Sequence, residues 1–260
     1  MTTFRQLHAG PDVLILANCW DGATARMIAS LGAKAMATTS AAVAWAHGYP
    51  DGDALPLELY VQTVRAIRRV IDVPLSVDAE GGYSDDPAVV ASTIGALVEA
   101  GALGINIEDG GSPPELLAAK ITRIKRAHPD LFVNARTDVY LRDLVPAPDR
   151  VRETLERAAR YADAGADGIF VPGPIDPETI GALTSGISLP VNLLARPGLP
   201  GAKQLAELGV RRLSAGSGLA QWSWGHVGAL ARAFLSDGRS DPLADGAVAY
   251  GTINPLFSAR

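Results

Sequence analysis

Eight short apolar runs, rich in Val, Ile and Leu, alternate along the chain with longer segments whose apolar residues recur at helical spacing. Such alternation is typical of βαβ units, in which each buried strand is followed by a helix that returns the chain to the same edge of a parallel sheet. The predicted strands span residues 13–17, 34–38, 74–77, 103–107, 132–135, 168–171, 191–194 and 212–215. The predicted helices span residues 22–31, 56–71, 87–100, 113–127, 149–164, 176–185, 201–208 and 217–235.

Eight strand–helix units in 260 residues match the size and element count of an α/β protein of the (β/α)8 TIM-barrel class. A doubly wound open sheet is the competing architecture, but it more usually has about five or six strands. Several predicted helices end at a glycine, such as Gly101 and Gly165, which accepts the left-handed conformation that terminates a helix. We therefore predict a single barrel domain over residues 1–260, with residues 236–260 forming a C-terminal tail.

The composition, with 48% hydrophobic and 20% charged residues, supplies a large core and excludes a disordered or fibrous chain. The formal charge is −5 and no basic cluster exceeds two residues, so nucleic acid is not an expected partner. The longest charge-free stretch, residues 213–231, contains Ser, Gln and His and lacks the roughly 20 apolar residues of a membrane span. The first ten residues have no apolar leader core, and the single cysteine cannot form an internal disulfide. We predict a cytoplasmic protein with no membrane partner.

Polar side chains follow the predicted strands at their carboxyl ends. In a parallel barrel these ends converge on one mouth, so the side chains there share a common site. The mouth is therefore the expected functional site. The candidates are Asn18, Asp21, Thr38, Thr39, Ser40, Asp78, Glu80, Asn106, Glu108, Asp109, Asn134, Arg136, Asp138 and Asn192.

Three carboxylates at this mouth predict a divalent metal site. Asp78 and Glu80 are two residues apart, so both side chains point to the same side of an extended strand, and Glu108 closes the next strand. Such carboxylates repel one another unless a cation is bound, and oxygen ligands without a nearby cysteine or paired histidine suit Mg²⁺ or Mn²⁺. The alternative is that these acids cap helices or pair with Arg123 or Arg136.

Arg136 is the one cation at the predicted mouth, and its planar guanidinium suits a two-point contact with a substrate carboxylate. A structural salt bridge to Asp138 or Glu108 is the alternative interpretation. The small residues 38–42 are expected to lead into a turn whose backbone N–H groups receive an anionic oxygen.

The histidines and the cysteine give weaker signals. We expect His8 in a polar surface segment, His47 in a loop placed to cover the mouth, and His226 packed on the final helix. Cys19 is expected to be a buried, inert thiol, because no base is evident near it in sequence.

Seven sequence blocks, in order between about residues 10 and 220, resemble those of the isocitrate lyase/phosphoenolpyruvate mutase superfamily. The blocks are Asn18-Cys-Trp-Asp21, Thr38-Thr-Ser40, Gly48-Tyr-Pro-Asp-Gly52, Ser76-Val-Asp-Ala-Glu-Gly-Gly-Tyr83, Gly104-Ile-Asn-Ile-Glu-Asp109, Asn134-Ala-Arg-Thr-Asp138 and Gly165-Ala-Asp-Gly-Ile-Phe-Val-Pro172. Each block alone is a modest signal, whereas seven in register are a strong one.

This resemblance implies a (β/α)8 barrel in which Asp78 holds Mg²⁺, directly or through water, while Glu80 and Glu108 complete the shell through waters. The 2-oxo and carboxylate oxygens of an oxo acid then chelate the metal. Ser40 and the next backbone amide bind the substrate carboxylate with help from Arg136, and Asp51 lies on a loop over the site. The implied substrate-binding set is Trp20, Ser40, Ala41, Asp78, Arg136 and Asn192.

The resemblance also has implications for assembly. Members of the superfamily commonly exchange their last helix between subunits and form dimers of dimers. An exchanged helix would account for the apolar stretch at residues 219–235, so we expect a homo-oligomer.

The loop after the fourth strand departs from the superfamily pattern. Isocitrate-type lyases carry Lys-Lys-Cys-Gly-His there, and the mutases carry a lysine-bearing gating loop. Here Glu108-Asp109 is followed by Gly110-Gly-Ser-Pro-Pro114, with no Cys, Lys or His before Lys120. The catalytic thiol of the isocitrate-type lyases is therefore missing.

The remaining candidate residues, Asp78, Glu80, Glu108 and Arg136, are suited to stabilising an enolate. We predict a Mg²⁺-dependent lyase that cleaves a C–C bond of a small 2-oxo or 2-hydroxy acid through an enolpyruvate-like intermediate. Decarboxylation makes the smallest demand on the site, whereas a retro-aldol or retro-Claisen cleavage also needs a base, for which Asp51, Glu108 and His47 are candidates. The alternatives are a P–C bond mutase or hydrolase acting on a phosphonopyruvate-like substrate, and a non-catalytic carboxylate-binding barrel.

Overall fold

A computed structural model of the protein describes residues 3–258. Its nine strands are all parallel and follow the order β1-β9-β8-β7-β6-β5-β4-β3-β2. The two strands at the ends of this order, β1 (Leu14–Leu16) and β2 (Asn18–Cys19), are halves of one extended segment interrupted at Ala17. With β1 and β2 counted as one strand, the sheet curls into an eight-stranded barrel. This confirms the predicted (β/α)8 class.

The remaining elements alternate as the sequence predicts. The strands are β3 (Met36–Thr38), β4 (Leu75–Asp78), β5 (Gly104–Glu108), β6 (Phe132–Arg136), β7 (Gly168–Val171), β8 (Val191–Leu194) and β9 (Arg212–Ser214). The helices are α1 (Gly22–Ser30), α2 (Ser40–Ala46), α3 (Leu57–Val70), α4 (Pro87–Glu99), α5 (Pro114–Ala127), α6 (Arg150–Asp163), α7 (Pro177–Gly186), α8 (Ala202–Glu207), α9 (Gly218–Asp237), α10 (Asp241–Ala244) and α11 (Tyr250–Ile253).

Helix α2 corrects the sequence prediction of a turn at residues 38–42 that leads into a loop. Its sequence, Ser-Ala-Ala-Val-Ala-Trp-Ala, is rich in alanine, the residue with the strongest helix propensity. Residues 40–44 are also buried, so tertiary packing supports the short helix. The chain therefore begins a helix almost immediately after β3, at the barrel mouth.

The strands have two differently filled faces. Outward side chains such as Val77, Ile105 and Ile107 belong to the main apolar core between the barrel and the helices. Inward side chains are largely polar: Asn134 Nδ2 donates to Asn106 Oδ1 (2.9 Å), and Arg212 Nη2 donates to the same oxygen (3.2 Å). Because β5 and β9 lie on opposite sides of the barrel, this last contact crosses the lumen.

An aromatic plug closes the amino-terminal end of the barrel. The His8 ring stacks on Phe132 with centroids 4.2 Å apart, and Phe4 meets Phe132 edge-on at 5.3 Å. His8 is only 3% exposed, so the prediction that it lies at the surface is wrong. Burial, followed by the charge of Arg212, lowers the pKa of His8 to about 4. The plug is therefore neutral at physiological pH.

The C-terminal helix α9 packs only through its first turns. Trp224 contacts Trp20 and Trp45, with ring centroids 6.0 Å and 5.6 Å apart, whereas the remainder of the helix is largely exposed. Apolar side chains on it are open to solvent, including Val227 at 60% and Leu235 at 85% exposure. Among residues 3–258, no helix combines the length and apolar character that crossing a membrane requires.

A groove of about 690 Å³ lies on the outer surface of β1, beside α1 and the start of α9. Ile15, whose side chain points outward from β1, is 58% exposed there. Outward side chains of other strands, such as Val77, Ile105 and Ile169, are in contrast fully buried. The outer face of β1 is thus an uncovered part of the barrel wall.

The substitution Gly104→Ala should destabilise the protein through the aromatic plug. A Cβ atom at this position would lie 2.5 Å from Phe4 Cε1 and 3.2 Å from the Phe132 carbonyl oxygen. We expect the free energy of unfolding, measured by chemical denaturation, to fall by about 1–3 kcal/mol. Gly111→Ala is the matched control, because no heavy atom lies within 4 Å of its added Cβ. Equal stability of the two variants would contradict the packing described for the plug.

Candidate active site

Asp78, at the carboxyl end of β4, is held by two neighbouring elements. Its backbone N–H donates to Thr38 Oγ1 (2.9 Å), and its carbonyl oxygen accepts from the Tyr60 hydroxyl of α3 (2.6 Å). Its carboxylate Oδ2 accepts from Ser40 Oγ (3.0 Å) and from the Ser40 backbone N–H (3.3 Å). The start of α2 is therefore directed at the Asp78 carboxylate.

Ser40 also connects Asp78 with Asp51. Ser40 Oγ lies 3.4 Å from Asp51 Oδ1, which brings the loop between α2 and α3 to the barrel mouth. Loss of hydration and the charge of Asp78 raise the pKa of Asp51. The predicted position of Asp51 beside the acidic residues is thus present in the structure, while its catalytic role stays a prediction.

Glu80 fastens the same loop to the barrel. Its carboxylate Oε2 accepts hydrogen bonds from the backbone N–H groups of Gly52 (2.8 Å) and Asp53. Glu80 is 5% exposed and has a left-handed backbone (φ 51°), which turns the chain sharply after β4. Burial, with the charges of Asp51, Asp53 and Asp78, raises its pKa to about 7.

Glu108 and Arg136 occupy paired positions on β5 and β6. Arg136 Nη1 lies 2.7 Å from Glu108 Oε2, while Nε and Nη2 donate to the two oxygens of Asp138 at 2.6 Å and 3.0 Å. Burial raises the pKa of Glu108 to about 8. The charge of Arg136 offsets only part of this rise, and the charges of Asp78, Asp138 and Glu80 increase it. Although burial alone would lower it, the two carboxylates raise the pKa of Arg136.

Both structural salt bridges considered for Arg136 are therefore present. They engage three of the five guanidinium N–H groups, and the other two remain for a ligand. The predicted clamp on a substrate carboxylate is compatible with these contacts and stays a prediction. Arg123, the other cation considered for these acids, lines a separate cavity between α4 and α5.

Two of the acids predicted at the mouth have structural partners. Asp109 Oδ2 accepts from Arg157 Nη1 (2.9 Å) and the Tyr161 hydroxyl (2.6 Å), and its Oδ1 accepts from the Asp138 backbone N–H. Both carboxylate oxygens of Asp138 accept hydrogen bonds from Arg136. These two carboxylates fix the loops after β5 and β6 and position Arg136.

The other predicted residues lie at different depths. Trp20 packs against Trp224 at the rim, whereas Asn192 is 1% exposed and lies inside the lumen with its Oδ1 accepting from Ser214 Oγ (3.2 Å). His47 Nε2 is 2.8 Å from Thr63 Oγ1 on α3, which holds its ring against that helix. Cys19 is fully buried, and burial raises the pKa of its thiol, as expected for an inert cysteine.

A cavity of about 380 Å³ opens beside Glu80 and Glu108. Lys120 and Arg142 also line it, and sequence analysis assigned neither of them to the site. Lys120 is 5% exposed, and its Nζ donates to the Gly81 carbonyl oxygen (2.8 Å). Its position on α5, six residues into the helix, gives no sequence signal that its ammonium group reaches the turn after β4.

The acidic residues at the mouth fit a divalent cation held largely through water. Within residues 3–258, no three acidic, His or Cys side chains form a direct ligand set. However, Asp51, Asp78, Glu80 and Glu108 cluster at the mouth, and each of the pKa values of Asp51, Glu80 and Glu108 is raised in part by a neighbouring carboxylate. This excess of negative oxygen ligands matches the preference of Mg²⁺ for carboxylates and retained waters.

A (β/α)8 barrel whose strand ends carry acids and a guanidinium defines a small-molecule enzyme site. The chain belongs to the phosphoenolpyruvate phosphomutase family, whose model matches residues 4–235, and so to the isocitrate lyase/phosphoenolpyruvate mutase superfamily of lyases and mutases. The predicted family membership and enzymatic class are therefore confirmed.

Relatives match over most of the chain. An uncharacterized protein of Mycobacterium tuberculosis H37Rv is 40% identical, covering 92% of this chain and 91% of the relative. Oxaloacetate decarboxylase of Pseudomonas fluorescens SBW25 is 31% identical, covering 83% of this chain and 78% of the enzyme.

Solved structures share the fold. A protein of Burkholderia cenocepacia J2315, designated only in general terms as a lyase/mutase, is 33% identical with a TM-score of 0.89, covering 99% of this chain and 95% of that one. At 20% identity, a phosphonopyruvate hydrolase solved with oxalate and Mg²⁺ has a TM-score of 0.85, covering 97% of this chain and 92% of that one.

The raised pKa values of Glu80 and Glu108 predict a pH-dependent stability. Their folded-state pKa values of about 7 and about 8 exceed the ordinary value of 4.5, so the folded chain retains protons that the unfolded chain has released. Their contribution to the free energy of unfolding is complete below about pH 4.5 and is lost as the pH rises towards about 8. Glu108→Gln should make this decline shallower.

Denaturant unfolding between about pH 4.5 and about pH 8.5, in the presence of EDTA, measures the effect. Glu99→Gln on α4 is the control, because its side chain is exposed and distant from the mouth. Parallel profiles for Glu108→Gln and the wild-type protein would show that Glu108 does not carry the raised pKa.

Proposed function

We propose that the protein is a Mg²⁺-dependent lyase that cleaves a C–C bond of a small 2-oxo or 2-hydroxy carboxylic acid. The observation that carries the proposal is the clustering of Asp51, Asp78, Glu80 and Glu108 at the barrel mouth, where Ser40 links Asp51 to Asp78 and Arg136 pairs, among these four acids, only with Glu108. Buried carboxylates at this density need a cation, and a cation with open positions attracts an acid that can chelate it.

The residues that would hold the metal are Asp78, directly or through water, and Glu80 and Glu108 through waters. When bound, Mg²⁺ supplies a Lewis acid that offsets negative charge developing on the oxygens of the substrate. The loop contact from Glu80 leaves its second carboxylate oxygen, Oε1, for such a water. Mn²⁺ has the same ligand preference and is the expected substitute.

The start of α2 and the guanidinium would orient the substrate. Ser40 and the Ala41 backbone amide lie at the first turn of α2, next to Asp78, where N–H groups point out of the helix. Arg136, at the end of β6 two strands from Asp78, would supply the N–H groups that Glu108 and Asp138 do not engage. Trp20 forms part of the apolar rim and Asn192 part of the polar floor.

Two carboxyl groups are placed to handle the proton. In the metal-free site burial raises the pKa of Glu108, and bound Mg²⁺ would lower it, so Glu108 is proposed as an acid–base group without a fixed protonation state. Asp51 lies on the covering loop and shares the Ser40 hydroxyl with Asp78, so it is the better placed base for abstracting a substrate hydroxyl proton. Arg136 would stabilise the charge of the intermediate.

Decarboxylation of an oxaloacetate-like acid is the reaction that asks least of these residues. Carbon dioxide leaves without being protonated, so only the enolate must later receive a proton. The loop at 110–114 contributes no Cys, Lys or His. The similarity to an oxaloacetate decarboxylase, at 31% identity, supports the same choice.

We expect the purified protein to release pyruvate and carbon dioxide from oxaloacetate faster than the uncatalysed, metal-only reaction, and EDTA to abolish this excess. The same assay is run on a panel of other acids, which are 2-methylisocitrate, isocitrate, substituted malates and phosphonopyruvate. Asp78→Asn should lower kcat/KM at least about a hundredfold, because it removes the proposed metal ligand. The control is Asp163→Asn, an exposed carboxylate at the end of α6.

Full activity of Asp78→Asn would refute the assignment of the site. Phosphate release from phosphonopyruvate, without turnover of the other acids, would instead identify a P–C bond enzyme. Binding of oxalate with Mg²⁺ and no turnover across the panel would identify a carboxylate-binding barrel.

We also propose that α9 is exchanged between subunits. The exposed apolar side chains of this helix, including Val227 and Leu235, and the uncovered face of β1 at Ile15 are complementary in character and lie outside the barrel core. Burying both in a second copy would remove a large apolar surface from water.

Size-exclusion chromatography with light scattering should therefore find a dimer or a dimer of dimers. Val227→Glu should shift the protein towards the monomer, because a charge would enter the apolar contact. Gln221→Glu, exposed on the same helix, introduces the same charge and should leave the assembly intact. A monomeric wild-type protein would rule out the exchange.

A further inference from the structure

Arg212 is a buried cation with no ionic partner. Among the described residues it has the largest fully buried side chain, with 1% of the residue exposed. Among residues 3–258, no carboxylate lies within salt-bridge distance of its guanidinium. A buried charge without a counter-ion is destabilising in itself, so its presence in the lumen calls for an explanation.

The groups that touch Arg212 are all neutral. Nη2 donates to Asn106 Oδ1 (3.2 Å) and Nε to Ser214 Oγ (3.3 Å), and that hydroxyl in turn donates to Asn192 Oδ1 (3.2 Å). Nη1 has no hydrogen-bond partner, and neither does the side-chain amide nitrogen of Asn192. Amides and hydroxyls hold the guanidinium in place but leave its charge uncancelled.

This charge lies directly beneath the acidic mouth. Asn106, which Arg212 contacts, is paired with Asp78 on β4 and precedes Glu108 by two residues on β5. Asn134, which donates to the same Asn106 oxygen, precedes Arg136 by two residues on β6. Side chains two apart on a strand share a face, so the Arg212 network is the inward layer immediately below the mouth.

The electrostatic evidence agrees with this placement. Burial lowers the pKa of Arg212 to about 10, and the charge of Asp78 is the influence that opposes this fall. The guanidinium is therefore still protonated at neutral pH. On the amino-terminal side, its field contributes to the lowered pKa of His8.

We propose that Arg212 is a positioning residue whose uncancelled charge, set in the neutral layer of Asn106, Asn192 and Ser214, favours the metal together with an anionic acid over the metal alone. The inference rests on the proposed function, since it assigns Arg212 to the same Mg²⁺ and oxo-acid site. A positive charge below the mouth repels a bare divalent cation and attracts the carboxylate and enolate charge of a substrate. A carboxylate beside Arg212 would cancel this preference.

A purely structural role makes a different prediction. If Arg212 only tied β5, β8 and β9 together through hydrogen bonds, its loss would disorder the mouth and weaken every ligand. Loss of its charge should instead change the affinities for a cation and an anion in opposite directions. The sign of the two changes therefore separates the two roles.

The test measures binding by isothermal titration calorimetry at about pH 9, where proton competition at the carboxylates is small. Mg²⁺ alone is the first probe, and oxalate at saturating Mg²⁺ is the second. For Arg212→Met we expect Mg²⁺ to bind about tenfold more tightly and oxalate about tenfold more weakly than in the wild-type protein. Arg212→Lys is compared with wild type at about pH 7, where a buried ammonium retains its proton better than at pH 9, and should bind both probes within about threefold of wild type.

Arg211→Met is the matched control. It makes the same substitution one residue earlier, where the guanidinium donates to the carbonyl oxygens of Ala206 and Val210 outside the lumen. We expect both affinities to remain within about twofold of wild type. The comparison controls for the change in net charge.

Weakening of both probes by Arg212→Met, or no change in either, would overturn the inference while leaving the proposed function standing. A wild-type protein that binds neither probe overturns the proposed function, and the inference with it. If Arg212→Met does not fold, Arg212→Lys decides: near-wild-type affinities for both probes support a role for charge, and loss of both overturns it.

Discussion

Repulsion among carboxylates at one end of a narrow barrel is the constraint around which this structure is organised. Parallel strands deliver their carboxyl ends to one mouth, and β4, β5 and the loop after α2 each bring an acid to it. Arg136 is shared by Glu108 and Asp138 and cannot neutralise the group. Part of the remaining charge is met by protons and backbone N–H groups, and the rest remains available to a bound cation.

The contacts around the mouth convert this repulsion into an ordered arrangement. Glu80 uses one carboxylate oxygen to hold the backbone of the loop at Gly52 and Asp53, and Ser40 places one hydroxyl between Asp78 and Asp51. The covering loop is therefore fixed by the acids that it covers.

Much of the fold could be predicted because strand burial and helix periodicity are local properties of the sequence. The sixth and seventh predicted strands illustrate this: residues 168–171 and 191–194 have the same bounds in the structure, as β7 and β8. Helix α2 was missed because its alanine-rich segment immediately follows a strand, where the small residues were interpreted as a turn. The burial of His8 depends on contact with Phe132, a residue more than 100 positions away, and has no local signal.

The site was predictable to the extent that residues lie at strand ends. Asp78, Glu80, Glu108 and Arg136 follow directly from that rule, whereas the loop contact of Glu80 and the structural role of Asp109 depend on distant partners. Arg212 lies in the predicted strand at 212–215, but at the first residue of that strand and away from its carboxyl end, so it was not among the site candidates. Strand alternation at β9 contains the missing signal, because one of two consecutive side chains must face the lumen.

The loop after β5 limits which chemistry the site can perform. Residues 110–114 offer glycines, a serine and prolines, so the proposed acid–base groups, Asp51 and Glu108, come from the covering loop and a strand end. A bond cleavage that produces an alkoxide or amine at the leaving group needs a proton donor in the transition state, whereas loss of carbon dioxide needs one only afterwards. Glu108, beside a cavity of about 380 Å³, is the proposed donor for that later step. The absence of Cys, Lys and His from residues 110–114 is therefore compatible with the proposed decarboxylation.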